Sequence, residues 1–349
     1  MTNYPPLVSA RLDVPDSLEE INELFYQKEW TDGLPIIPPT EARVARMLSG
    51  TTRKPQEVLG EIPPRWGEAI VEKVAINAVM AGCLPEYMPV VLTALESMLE
   101  PQFNLYAIQV TTHPCAPLII VNGPIRKKLG INSGCNVFGQ GTRANATIGR
   151  AIRLALINIG GAIPGKLDRA THGQPSKYSF CIAENEEESP WSPLHVDRNF
   201  DPLTSTVTVL AAASPLDIND NCSIDAEGVL TTIAGSIAIQ GSNNTLHQNG
   251  EPLIIISPQQ AVTIAGSGFS KQDVKHFLFQ KAVIPYDDFA QCYQATRLRN
   301  FKAGDLIHLT STEDKLIVVV TGGTGPRAMF CTNFGQTVSV TKPIHQAPG

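Results

Sequence analysis

Leu316-Ile-Val-Val-Val-Thr-Gly-Gly-Thr-Gly-Pro326 reads as a buried strand that runs into a glycine-rich turn. Its apolar residues are continuous rather than alternating, which fits a strand covered on both faces. Strands covered on both faces need further layers around them, and the rest of the chain supplies helices. Ala116–Asn122, Tyr178–Ala183, Thr206–Ala212 and Leu253–Ile256 also read as strands, and residues 104–112 and 338–341 as two more. Helical spacing runs through 68–99, interrupted by Pro85 and Pro89, and again from about 144 to 159 and 226 to 239. Helices are also expected from Asp16 to about Glu29 and from Glu41, capped by Thr40. The fold class is α/β (or α+β): a mixed sheet with flanking helices, with loops at strand ends forming the site. Three parts are expected: a proline-punctuated segment 1–65, a main α/β body 66–245, and a C-terminal α/β part or second subdomain 246–349. No internal repeat is visible.

The 349 residues, 43% hydrophobic and 17% charged, suffice for a large core. A net charge of -6 argues against a nucleic-acid partner. No apolar run approaches the roughly 18 residues of a membrane span. Met1-Thr-Asn-Tyr-Pro-Pro6 has neither a basic nor an apolar leader region. The seven cysteines are scattered, odd in number and contain no CxxC pair, as in a reduced cytosolic protein. A cytoplasmic location and a homo-oligomer are expected.

Gly139-Gln-Gly-Thr-Arg-Ala-Asn-Ala-Thr-Ile-Gly-Arg150 places glycines, hydroxyls and two arginines at the mouth of a helix. Helix N-termini and guanidinium forks bind anions, so Gly141, Thr142, Arg143 and Asn145 are substrate-binding candidates, with Arg150 as a second fork. The stretch fits GxGxxA, but no strand precedes it and the next acid is Asp168, which excludes dinucleotide binding. Gly322, Gly323 and Thr324 follow the strand quoted first and offer a nest of N–H donors. Asn122, in Asn-Gly-Pro, ends another strand. Lys177 and Tyr178 suit a substrate carboxylate or proton transfer.

Three catalytic candidates stand out. His113 lies in a turn between expected strands and titrates near neutrality. Glu184 opens the acidic segment Glu184–Asp197, which suits acid–base work or a divalent metal. Cys83 ends a helix beside Leu-Pro-Glu86 and suits a nucleophile or an iron–sulfur ligand with Cys115 and Cys135, although that spacing is wide and irregular. Each of these residues also suits a plain structural role. The sequence names no cofactor and no metal.

Thr31–Thr40 (TDGLPIIPPT), Glu72–Tyr87 (EKVAINAVMAGCLPEY), Thr111–Pro124 (TTHPCAPLIIVNGP) and Ser179–Pro193 (SFCIAENEEESPWSP) together resemble a poorly characterised bacterial family, over most of the chain. Its members are encoded near small UGSC-motif thiol or selenol proteins. The resemblance implies a two-component system in which a thiol or selenol partner carries the redox group. This chain has no UGSC sequence, and Asn132-Ser-Gly-Cys135 only echoes it. The resemblance makes Cys83 the thiol here most worth testing.

The expected function is a small-molecule enzyme, a lyase or hydratase acting on a small anionic metabolite. Loop N–H groups and Arg143 would hold the anion, and His113 or Glu184 would move the proton. Two alternatives stand beside it: a thiol-dependent subunit of a two-component redox system using Cys83, and a non-catalytic ligand-binding subunit.

Overall fold

A computed structural model describes residues 7–345. Met1–Pro6, where a leader was sought, lie outside the described residues, as do 346–349.

The chain opens with α1 (Leu18–Gln27), α2 (Glu41–Leu48), the hairpin β1 (Val58–Ile62) and β2 (Gly67–Ile70), then α3 (Val71–Ala81), α4 (Met88–Met98) and α5 (Leu105–Val110). Next come β3 (Ala116–Asn122), α6 (Ile125–Lys128), α7 (Arg143–Asn158), β4 (Cys181–Ala183), α8 (Leu194–Asp197), β5 (Thr206–Ala212) and β6 (Leu216–Asn219). Helices α9 (Ala226–Ile237) and α10 (Asn243–His247) lead to β7 (Leu253–Ile256), α11 (Pro258–Gly266), α12 (Lys271–Lys281) and β8 (Val283–Pro285). The chain continues through α13 (Gln291–Ala295), β9 (Leu306–His308), β10 (Ile317–Val320), β11 (Arg327–Cys331) and β12 (Val340–Pro343).

The period-2 geometry of strands explains the layers. On β3, Ile119 and Val121 face a core built with α2, α3, α4 and α7. Leu118 and Ile120 face the other way, against Leu253, Ile255, Ile317 and Val319 of a second sheet. The opposite faces of β7 and β10, Ile254, Ile256, Val318 and Val320, pack on α9, α11 and α12. The order is helices, sheet, sheet, helices, and both sheets are covered on both sides. This is the physical reason that Leu316–Thr321 is apolar without alternation.

The sheets share one topology. The first is ordered β12-β5-β3-β4 and the second β6-β11-β7-β10. In each, one pair is parallel: Val121 sits beside Ala183, and Ile256 beside Val320. In each, an antiparallel strand follows: Val121 beside Val207, and Ile256 beside Ala328. The fourth strands are exchanged. After β5 the chain crosses to the second sheet, where β6 pairs with β11; after β11 it crosses back, where β12 pairs with β5. At the crossing, Ala213 N donates to Thr332 O (2.8 Å) and Phe334 N donates to Ala211 O (3.0 Å), around the Ala212–Asn333 bridge. The two sheets therefore repeat one strand order and one pattern of parallel and antiparallel pairs, a repeat of topology that the sequence does not display. Helix α9 precedes the expected boundary at 245/246 and packs on the second sheet. Each side of it lends a strand to the other's sheet, so the two are not separate bodies.

The mixed sheets with flanking helices follow the expected fold class. Residues 104–112 are a correction, since they form α5 and not a strand. Leu105, Ile108 and Gln109 are its buried residues, which is helical spacing. No helix among the described residues is long and apolar enough to cross a membrane.

Helix α7 packs against β4 through Gly149. A Cβ there would lie 2.4 Å from Ser179 Oγ and 2.5 Å from Phe180 N. Gly235 in α9 faces open space instead. In a helix interior, Ala normally stabilises by about 0.5–1 kcal/mol over Gly. We expect Gly235→Ala to follow that rule and Gly149→Ala to reverse it, destabilising by about 1–3 kcal/mol through overpacking. Urea unfolding of both variants checks this; a stabilised Gly149→Ala would refute the close contact.

Candidate functional site

The seven residues of β3 separate two ends of the first sheet by roughly 20 Å. His113 and Cys115 precede the strand, while Asn122 ends it. Strand β4 runs parallel, so Lys177 and Tyr178 lie toward the His113 end and Glu184 lies at the Asn122 end. His113 and Glu184 therefore do not meet over one substrate, contrary to the roles expected of them. The His113 ring stands 6.0 Å from that of Phe334, its Nδ1 is buried without a partner, and burial lowers its pKa.

At the carboxyl end, Glu184 is fully buried. Its Oε2 accepts from Asn122 Nδ2 (2.7 Å) and Leu194 N (2.8 Å). Asn122 Nδ2 also reaches Glu186 Oε1 (3.0 Å), and Arg126 pairs with Glu186 (2.8 Å) and Glu187 (2.9 Å). These two expected site residues are brought together, but the cluster is sealed. The glycine-rich turn beside it is engaged as well. Thr321 Oγ1 donates to Ser133 O and Ala183 O, Gly322 N donates to Ser133 O, and Gly323 abuts Cys135. Gly322 and Gly323 thus hold the turn against the 133–135 loop, and only Thr324 of the three candidates is exposed.

At the mouth of α7, Asn145 and Arg150 are engaged within the chain. Asn145 is buried, its Oδ1 accepting from Asn132 N (2.8 Å) and its Nδ2 donating to Asn132 O (3.0 Å), so both ends of the amide are committed. Arg150 binds Asp32 through two hydrogen bonds (2.8 and 2.9 Å) and also donates to Leu34 O and Pro35 O. It fastens the 31–37 strap and is no free fork. Gly141 and Arg143 are exposed and Thr142 is half-buried, with no side-chain cap on the helix.

A cleft of about 930 Å³ opens elsewhere, between the strap, α7 and the 162–178 loop. Tyr26, Asp32 and Gly33 form one wall, Ile157, Ala162, Ile163 and Pro164 line it with apolar surface, and Tyr178 is half exposed at its edge. The charged residues are Glu29, Asp32, Arg153, Asp168 and Lys177, of which Glu29 is paired with Lys166 and Asp32 with Arg150, leaving Arg153, Lys177 and Asp168 to one another. Arg153 Nε donates to Lys177 O (2.7 Å), and Lys177 Nζ donates to Asp168 Oδ2 (2.5 Å). Burial lowers the pKa of both cations, with the Asp168 carboxylate opposing it. Arg153 is 7% exposed and its terminal nitrogens make no hydrogen bond among the described residues. Gln174 Oε1 is held by Ser176 N, whereas its buried Nε2 has no acceptor. Two cations face one carboxylate here, because Asp32 is committed to Arg150. A smaller groove on α12, about 540 Å³, lined by His276, Phe277 and Lys281, gathers no buried charge.

Lys177 and Tyr178 were expected at a site; Arg153, Asp168 and Gln174 were not. The signal for Arg153 was a cation inside an otherwise apolar helical run, Ala151-Ile-Arg-Leu-Ala-Leu-Ile157.

The structure does not fit Cys83 as a nucleophile. Its thiol donates to Thr147 O (3.2 Å), and burial pushes its pKa up to about 12. Cys115 is likewise pushed to about 12. Among the described residues no three His, Cys, Asp or Glu side chains are grouped to share a metal ion, which leaves Cys83, Cys115 and Cys135 apart. We expect native protein at mildly alkaline pH to be alkylated at the exposed Cys135, Cys222 and Cys292, and at Cys83 only after unfolding. Peptide mapping by mass spectrometry reads this; rapid native labelling of Cys83 would overturn its assignment as an inert core thiol.

Comparison with models of protein families and with curated proteins finds no match to this chain.

Proposed function

We propose that this chain is an enzyme that binds a small carboxylate in the Arg153 cleft and acts on it by acid–base catalysis, as a lyase or hydratase. The observation that carries this reading is a guanidinium lining the cleft whose terminal nitrogens make no hydrogen bond among the described residues, beside the buried Gln174 Nε2, which has no acceptor. A buried polar group without a partner is costly, and these groups need acceptors. A carboxylate supplies two, in the fork geometry that a guanidinium matches. It also balances the excess positive charge.

Lys177 then takes the role first expected of His113 or Glu184. Its ammonium lies at the cleft, positioned by Asp168, and its lowered pKa favours giving and regaining a proton. In a dehydration beside a carboxylate, Lys177 acts as the neutral amine: it takes the proton from the carbon next to the carboxylate, and the hydroxyl on the next carbon leaves as water with a proton from Tyr178. Tyr178 stands at the edge where a leaving oxygen can be met.

Calorimetric titration with a panel of small mono- and dicarboxylates tests binding, and deuterium exchange of their C–H protons by NMR tests catalysis. Arg153→Met should weaken binding of the preferred ligand roughly 30-fold or more, about the 2 kcal/mol lower bound for losing a buried charge-assisted pair. Lys177→Gln should keep binding within a few-fold and abolish exchange. Carboxylates that bind Arg153→Met as well as they bind the wild type would remove the basis for the proposal.

A further inference from the structure

We propose that Glu184 is a carboxylic acid in the folded protein, its Oε1–H donating to Asn122 Oδ1, so that the carboxyl end of the first sheet holds one bound proton. The inference is independent of the Arg153 cleft and stands on the hydrogen-bond pattern. Both donors that reach the carboxyl group, Asn122 Nδ2 and Leu194 N, fall on Oε2. Oε1 has none, although it is buried. An ionised carboxylate shares its charge between two accepting oxygens, whereas an acid has one carbonyl oxygen that accepts and one hydroxyl that donates. The arrangement at Glu184 is that of the acid. Asn122 Oδ1 is the matching vacancy: buried, an acceptor, and without a donor. The same two side chains already share a 2.7 Å bond, so one proton satisfies both orphan oxygens and closes an acid–amide pair.

The surrounding charges are occupied elsewhere. Arg126 binds Glu186 and Glu187 with its guanidinium and meets Glu184 only at the backbone oxygen. Lys271 of α12 is held by Asp197 (2.6 Å) and Ser192 O. The ring of His195 in α8 has Nε2 at Pro202 O and turns Nδ1 toward Glu186, at 3.9 Å. Among the described residues, no hydrogen bond or ion pair joins a cation to the Glu184 carboxyl group. Burial raises its pKa, with Glu186 adding to the rise, against the pull of Lys271 and the two hydrogen bonds.

The bound proton sits where the sheets join. Glu184 lies between Ala183, whose carbonyl accepts from Thr321 Oγ1 (2.9 Å), and Asn185, whose N–H donates to Val320 O (2.8 Å). Loss of the proton places an unpaired charge at that seam. Because the folded pKa is raised above the ordinary 4.5, the native state holds a proton that the unfolded chain has released. Stability therefore falls as pH rises from about 4.5 through the folded pKa.

Glu184→Gln mimics the acid, with Nε2 in place of the Oε1–H donor. The infrared difference spectrum of wild type minus Glu184→Gln, at neutral pH, should contain the C=O stretch of a protonated carboxyl that shifts in D2O. Urea midpoints across pH should show the wild type losing stability relative to Glu184→Gln, by up to tenfold in the folding equilibrium per pH unit. A carboxylate band in its place would overturn the proposal, and needs only well-folded wild type to be seen. So would stabilisation of the wild type, and not the variant, by sodium, potassium or magnesium, because the occupant would then be a cation.

Discussion

Two backbone hydrogen bonds around Ala212 and Asn333 hold the point where the chain passes between the two sheets in both directions. On either side of it, each repeat gives its last strand to the other. Four β-strands with three or four flanking helices would otherwise make a small unit with one face of its sheet uncovered. Exchange solves this by covering the inner face of each sheet with the other, and it places Leu118 and Ile120 against Leu253 and Ile255. Sheet-on-sheet contact of this kind is non-directional hydrophobic burial. The crossing is what gives it a unique register.

The two ends of the first sheet have diverged in chemistry. At the carboxyl end, acids, amides and a histidine close on themselves. At the other end, a guanidinium is buried with only part of its hydrogen-bonding capacity used. Desolvating a cation is expensive unless hydrogen bonds and nearby opposite charge offset it. Here Asp168 supplies the charge and the Lys177 carbonyl one bond. The shortfall points to a ligand. The equivalent positions in the second repeat are neutral: Thr321 stands where Glu184 does, and Ser257 where Asn122 does, by register. The shared topology repeats strand orders and not sites.

Much of the fold was legible because strand and helix periods are written in apolar residues. Leu316–Thr321, Ala116–Asn122 and Leu253–Ile256 show it directly. Residues 105–110 misled because a short apolar run serves either geometry until its packing partners are known. The repeat was hidden because inward-facing Ile, Val and Leu interchange freely between its halves, while the distinguishing residues sit at strand ends. The site was harder still. Motif logic set Arg150 and Asn145 as ligand contacts from their place at a helix mouth, yet Asp32 lies 118 residues away from Arg150 in sequence and the Asn132 backbone folds back onto Asn145. Arg153, three positions further along the same helix, looked like one more helix residue. Only the third dimension separates an anchoring guanidinium from an available one.

The exchange of strands also sets a timetable for synthesis. Strand β5 leaves the ribosome early, with one edge paired to β3 and the other awaiting β12, more than a hundred residues later in the sequence. Until residues 340–343 are made, that edge presents unpaired N–H and C=O groups. A nascent chain of this kind can accept the last strand of a neighbouring chain as readily as its own. The same device that locks the finished chain thus makes the unfinished one a template for swapping, and a chaperone that covers β5 during translation would serve this fold more than one that acts after release.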